Sequence, residues 1–194
     1  MAKKILWIAL ASLVIVVFAA AVISYTNRSN QAFHGSMIDP PMPASDFTLT
    51  SQNSEKISLS DLRGKYILLF FGYTSCPDEC PATMGVLKQV HYQLKDQADK
   101  IQVVFVTTDP DHDTPQALGE FLGRFDPSFI GLTGTKADLQ PIWADYGVTV
   151  LDEGTTHSLR IYLIDPQGNI TLAYPSASLA DDITADLNRL FKEN

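Results

Sequence analysis

The sequence predicts an α/β domain with mostly parallel strands and helices on its faces, carried behind a single N-terminal transmembrane helix. Two observations carry that prediction. Beyond residue 43, apolar runs of strand length alternate with stretches whose apolar residues recur at helical spacing. Before it, the run Ile5–Ile23 holds nineteen residues with no charge and one hydroxyl, Ser12, within the roughly 17–25 residues that span a bilayer.

Lys3 and Lys4 precede the apolar run, which places the N terminus on the cytoplasmic side and the bulk of the chain on the other. A cleaved signal ending near Ala19-Ala20-Ala21 would export the same domain, but its apolar region is usually only about 7–15 residues long. Residues 1–24 are therefore read as an uncleaved anchor. Residues 25–43 follow as a polar tether ending in Asp39-Pro40-Pro41-Met42-Pro43, with extended, polyproline-like character, and residues 44–194 form one exported domain. With no Arg- and Ser-rich presequence, the expected location is a bacterial cytoplasmic membrane, with the domain periplasmic or extracellular. All 22 acidic residues follow the anchor, which argues against nucleic acid as a partner because phosphate binding needs a basic face.

Within the domain, Tyr66–Phe71 is a continuous apolar run between Gly64 and Gly72, the pattern of a strand buried on both faces. Pro81 suits the first turn of a following helix, on which Met84, Leu87, Val90, His91 and Leu94 recur with helical spacing. Ile101–Val106 reads as a second buried strand. Thr114-Pro115 opens a helix through Leu118, Phe121, Leu122 and Phe125, and Thr135 with Asp138 opens another, which Pro141 should kink or shorten. Leu159–Ile164 and Ile170–Ala173 flank the turn at Asp165–Asn169 as a hairpin, and Ser178 with Asp181 caps a final helix.

The two cysteines of the chain stand in Thr74-Ser75-Cys76-Pro77-Asp78-Glu79-Cys80-Pro81, where the buried strand gives way to the helix. That junction is where open α/β sheets keep their chemistry, and the helix N-terminus should depress the pKa of both thiols. Spacing i, i+4 can bring two sulfurs to one soft metal ion or close them as a disulfide. Zinc is disfavoured, since a structural zinc site wants four protein ligands and there is no second cysteine pair. A purely stabilising bridge would close too short a loop to constrain the unfolded chain much.

Three ordered motifs resemble the Sco/SenC family: Cys76-Pro77-Asp78-Glu79-Cys80-Pro81, then Thr108-Asp109-Pro110-Asp111-His112-Asp113-Thr114-Pro115, then His157-Ser158 leading into Tyr162-Leu163-Ile164-Asp165-Pro166-Gln167-Gly168. The resemblance runs from about Pro43 to Asn194. It implies a thioredoxin-like fold and a membrane-anchored copper protein that helps assemble the copper site of cytochrome c oxidase. It also implies copper held by Cys76, Cys80 and His157, as Cu(I) and with a further weak ligand as Cu(II), because two thiolates and one imidazole make a sulfur-rich, low-coordinate site. Implied partners are the oxidase's copper-bearing subunit, an upstream copper donor and a thiol reductant for the Cys76–Cys80 pair. Where the family often has Asp before the histidine, this chain has Thr156, leaving Asp152, Glu153 or a backbone carbonyl to orient the ring.

His112, between Asp111 and Asp113, is the rival nitrogen donor. His91 reads as a half-buried helix residue, His34 as a tether residue and Met84 as core. Asp78 is expected to support the site by its charge at the helix start, and Pro77 and Pro81 to stiffen the loop. The competing function is a thiol-disulfide oxidoreductase. Against it stand the three-residue spacer and the lack of proline from Val148 to Ile164, where such enzymes place a cis-proline. A peroxidase is weaker still, with no Arg beside the cysteines.

Overall fold

The computed structural model describes Trp7 and residues 13–19, 32–151 and 159–193. It divides into two units, Met1–Phe33 and His34–Asn194. In the first, Trp7 and residues 13–19 are helical. Among the described residues no helix is long and apolar enough to cross a membrane; the rest of the expected span lies outside the described residues.

The second unit holds, in chain order, β1 (Ser36–Pro43), β2 (Thr48–Ser51), β3 (Lys56–Ser58), β4 (Tyr66–Gly72), α1 (Glu79–Leu94), β5 (Ile101–Thr107), α2 (Pro115–Leu122), β6 (Ile130–Thr133), α3 (Lys136–Asp145), β7 (Arg160–Ile164), β8 (Asn169–Pro175) and α4 (Ala180–Glu193). The strands form one sheet in the order β1-β8-β7-β4-β5-β6-β2-β3. Every residue of β4 is buried, as its unbroken apolar run requires. Its side chains alternate between two faces. Ile67, Leu69 and Phe71 join the core around Val104, Val106, Leu132 and the α3 residues Leu139, Ile142 and Trp143. On the other face the Phe70 ring meets Phe105, which in turn meets Phe121 of α2. Burying a large apolar side chain contributes roughly 1.5–3 kcal/mol, so β4 is anchored from both sides and the loop leaving it starts from a fixed point.

Two expectations are corrected. The sheet is mixed: β4, β5 and β6 are parallel, whereas β7 runs antiparallel to β4, and β8, β1, β2 and β3 also pair antiparallel with their neighbours. Short turns such as Asp165–Asn169 can join only antiparallel strands. Residues 36–43, expected in the tether, are instead β1, hydrogen-bonded along β8 with an irregularity between Met37 and Met42, while residues 25–31 of that segment lie outside the described residues. Pro40 and Pro41 lack N–H donors, which an edge strand tolerates. His34, expected in the tether, is instead the first residue of the compact unit. Buried Asp186 of α4 accepts from the backbone N–H of His34 and of Gly35 (3.0 Å each), from Tyr174 Oη (3.0 Å), and lies 2.9 Å from His34 Nδ1.

Two of the three expected helix caps form. Thr114 Oγ1 accepts from the Ala117 N–H with Pro115 in the first turn, and Thr135 with Asp138 forms a reciprocal capping box. α3 continues through Pro141 to Asp145, forfeiting the bond that residue's missing N–H would have made. The third cap is corrected: α4 begins at Ala180, and Asp181, expected to cap it with Ser178, accepts from Gln93 Nε2 (2.7 Å) instead, tying α4 to α1.

Candidate metal centre

β4 ends at Gly72, and the chain crosses from there to α1 through the cysteine loop. A Cβ on Gly72 would stand 2.7 Å from Cys80 Sγ and 3.0 Å from the Phe70 ring. Only glycine lets the second sulfur lie against the end of the central strand. Cys80 is wholly buried in the first turn of α1, while Cys76 is partly exposed just before it, and both thiols are free.

The helix start acts on the two sulfurs unequally. Cys76 Sγ accepts the Cys80 backbone N–H at 3.4 Å. Burial pushes the Cys76 thiol up, but hydrogen bonds from the backbone N–H groups of Cys80 and Asp78 and from the Cys80 side chain outweigh it, and its pKa falls below the ordinary value. Cys80 goes the other way: burial, aided by the neighbouring Cys76 and by Asp113, drives its thiol far above the ordinary value. The expectation that both thiols are depressed is therefore corrected, because the second sits inside the core rather than at its edge. Asp78 caps α1 without a side-chain capping bond; its support comes through its backbone N–H.

A residue the sequence reading passed over holds this loop in place. Asp113 is fully buried, and its carboxylate accepts from the Thr74 N–H (3.1 Å), from Thr74 Oγ1 and from Thr107 Oγ1 (2.6 Å). Burial pushes that carboxyl up, against the pull of the two hydroxyls. The Thr108 N–H also donates to the Gly72 carbonyl (2.7 Å). The loop after β5 is thus stitched to the loop after β4. In the sequence Asp113 stands beside the rival donor His112 and just before the Thr114-Pro115 helix start, and neither position announces a contact with residue 74.

His157 lies outside the described residues, as do Asp152, Glu153 and Thr156. The first described residues after that segment can be placed. Ile161 of β7 pairs with Phe70 of β4, so β7 starts at the end of the sheet where the cysteine loop begins. Leu159 accepts from the Ser176 N–H (3.1 Å), and Ser176 Oγ donates to Glu79 (3.2 Å), the residue before Cys80.

The other candidates separate cleanly. His112 Nδ1 lies 2.9 Å from the Asp109 carboxylate. His91 is half-buried on α1, 3.2 Å from Asp126 and edge-on to Phe129, as expected. Met84 is fully buried core. Among the described residues no three His, Cys, Asp or Glu side chains gather closely enough to hold a metal ion, so Cys76 and Cys80 need a donor from elsewhere. An open cleft of about 770 Å³ lined by Lys136, Gln140, Trp143, Val148 and Leu151 involves neither cysteine.

Comparison with known proteins decides the family. The SCO1/SenC family model matches residues 36–192. The chain belongs to the SCO1/SenC family. It is 34% identical over 154 residues to the bovine mitochondrial SCO2 homologue, a match covering 74% of this chain and 58% of that protein. The chain thus spans less than two thirds of the length of that relative. Among solved structures, Bradyrhizobium japonicum ScoI with copper bound superposes with a TM-score of 0.67 at 32% identity, covering 76% of this chain and 98% of the other. The thioredoxin domain of a Bacteroides vulgatus thiol-disulfide oxidoreductase, at 20% identity and a TM-score of 0.59 over 83% of this chain and 99% of its own, shares the fold alone. The SCO1/SenC chain is therefore thioredoxin-like, and its β1 lies inside the matched region.

Proposed function

We propose that this chain is a membrane-anchored copper carrier for assembling the copper site of cytochrome c oxidase, holding the ion on Cys76, Cys80 and His157. The asymmetric thiol pair at the end of β4 carries the proposal. Cys76 offers a ready thiolate, and Cys80 yields its proton when a soft cation replaces it; two thiolates with one imidazole suit Cu(I). The third donor is assigned to His157 because the strand it leads into begins beside the cysteine loop, and because its motif is the one that resembles the family. The copper held by B. japonicum ScoI supports the same reading.

Copper is the cargo. It arrives from an upstream donor, and it leaves to the oxidase's copper-bearing subunit. A thiol reductant keeps the pair open, since a disulfide sulfur lacks the charge that binds copper. The apolar run 5–23 anchors the domain in a bacterial cytoplasmic membrane, with the domain on the far side.

The test is an anaerobic Cu(I) titration of the detergent-solubilised full chain, with thiol state confirmed by mass. The reduced chain is expected to bind one equivalent tightly, and the Cys76–Cys80 disulfide form to bind none until reduced. Equal retention by the oxidised chain would put the metal elsewhere. His157→Ala should weaken retention at least by the roughly 10–100-fold that loss of a ligand's hydrogen-bond partner alone can cause, with His112→Ala mattering much less. A partly exposed low-pKa thiol before a buried partner also suits attack on disulfides. Rapid turnover of a model disulfide with weak copper binding would favour that second reading.

A further inference from the structure

We infer that His112 is a second nitrogen donor for copper, engaged while the ion enters or leaves the cysteine pair and not while it rests there. The inference rests on the copper-carrier reading above.

The His112 ring is preset for ligation. Its Nδ1 lies 3.0 and 2.9 Å from the two Asp109 oxygens, so in the neutral ring the proton sits at Nδ1, facing the carboxylate, and Nε2 is left as the donor nitrogen. A carboxylate behind an imidazole is how proteins orient metal-binding histidines. The carboxylate is not a casual surface neighbour: the Asp109 side chain is 8% exposed while that of His112 is 74% exposed, and the Asp109 N–H is held by Thr107 Oγ1 at 2.9 Å. A buried group thus aims an open ring outward.

The turn that carries the ring is built into the metal centre. Asp113, the next residue, binds Thr74 two positions before Cys76, and Thr108 binds Gly72. His112 therefore stands on the same stitched pair of loops as the two sulfurs. It is not one of a gathered set of three donors among the described residues, which separates it from a resident ligand.

Cu(I) in a site of two or three ligands exchanges by gaining a ligand before losing one. On loading, a Cu(I)–Nε2 bond forms as a bond to the donor's ligand breaks. The ion then passes to the sulfurs, the Cu–N bond breaks, and the thiol protons go to solvent with no change in oxidation state. Such a ligand speeds loading and release equally and leaves the equilibrium untouched.

Stopped-flow exchange on the reduced full chain in detergent tests this, with Cu(I) supplied as its bicinchoninate complex and withdrawn by bathocuproine disulfonate. His112→Gln keeps a group able to bond Asp109 but removes the metal donor. It should slow loading and release alike, by about tenfold, at unchanged Kd. His112→Met supplies a soft thioether and should restore both rates. Wild-type rates in His112→Gln would overturn the inference, as would a weakened Kd with faster release, which marks a resident ligand. So would a His112→Met chain as slow as His112→Gln. A wild-type chain that takes up no copper would instead defeat the carrier reading itself.

Discussion

Cys76 and Cys80 are four residues apart yet opposite as acids, because one lies before the helix and the other inside its first buried turn. In the metal-free reduced chain, iodoacetamide should therefore label Cys76 at a lower pH than a free cysteine, whose pKa is about 8.5, since its thiolate persists further down the pH scale. Cys80 should resist until the fold opens. Peptide mass spectrometry over a pH series reads both, and equal labelling would contradict the assigned asymmetry. The cysteines themselves were legible in the sequence as the only thiols at a strand–helix junction. Their inequality was not, because burial of Cys80 depends on Gly72 leaving room beside the strand and on Asp113 holding the loop. In the sequence Gly72 bounds an apolar run and Asp113 flanks His112, and neither position announces a tertiary role.

At the scale of elements, helix starts were predictable because capping is chemistry between neighbours three residues apart, as at Thr135 and Asp138. β1 was not, since a polar stretch with three prolines reads as a tether until β8 is placed beside it. Its entry is fastened by His34, 152 residues from Asp186 in the chain. Hydrogen bonding to Asp186 raises the His34 pKa above its ordinary value, with Asp182 adding to the pull. A raised folded-state pKa contributes stability that is fully present below the unfolded pKa of about 6.5 and is lost as pH rises through the folded value. His34→Ala should therefore lower the urea midpoint more at pH 5.5 than at pH 8.5. The pH-dependent part should stay within about 1 kcal/mol, since the ring is half-exposed. The backbone bonds from residues 34 and 35 to Asp186 remain at every pH. A difference that grows with pH would contradict the ion pair.

For the whole molecule, the charge pattern at the N terminus sets the expected topology. An alkaline phosphatase fusion at the C terminus, produced in a bacterial host, should be active outside the cytoplasm and inactive within it. Neutralising Lys3 and Lys4 should reduce the correctly oriented fraction. A C-terminal reporter active only in the cytoplasm would reject the topology. The sheet tells a different story about predictability: the parallel pairing of β4 with β5 follows from the helical crossover that the sequence displays, whereas the short β6, which the sequence does not mark, and the antiparallel flank β7-β8-β1 need the spatial neighbour of each strand.

What the sequence by itself determined was what depends on periodicity and near neighbours: the buried run of β4, the caps at Thr114 and Thr135, the hairpin after Ile164, and a thiol pair at a helix start. Side-chain period and capping are satisfied within a few residues, so they are written locally. Tertiary structure alone decided which sulfur is buried, that Asp113 joins two loops, that β7 enters beside the cysteines and that β1 closes the sheet edge. These depend on groups far apart in the chain being brought together, as Thr74 and Asp113 are across 39 residues, because burial and long-range hydrogen bonding arise only once the chain has packed.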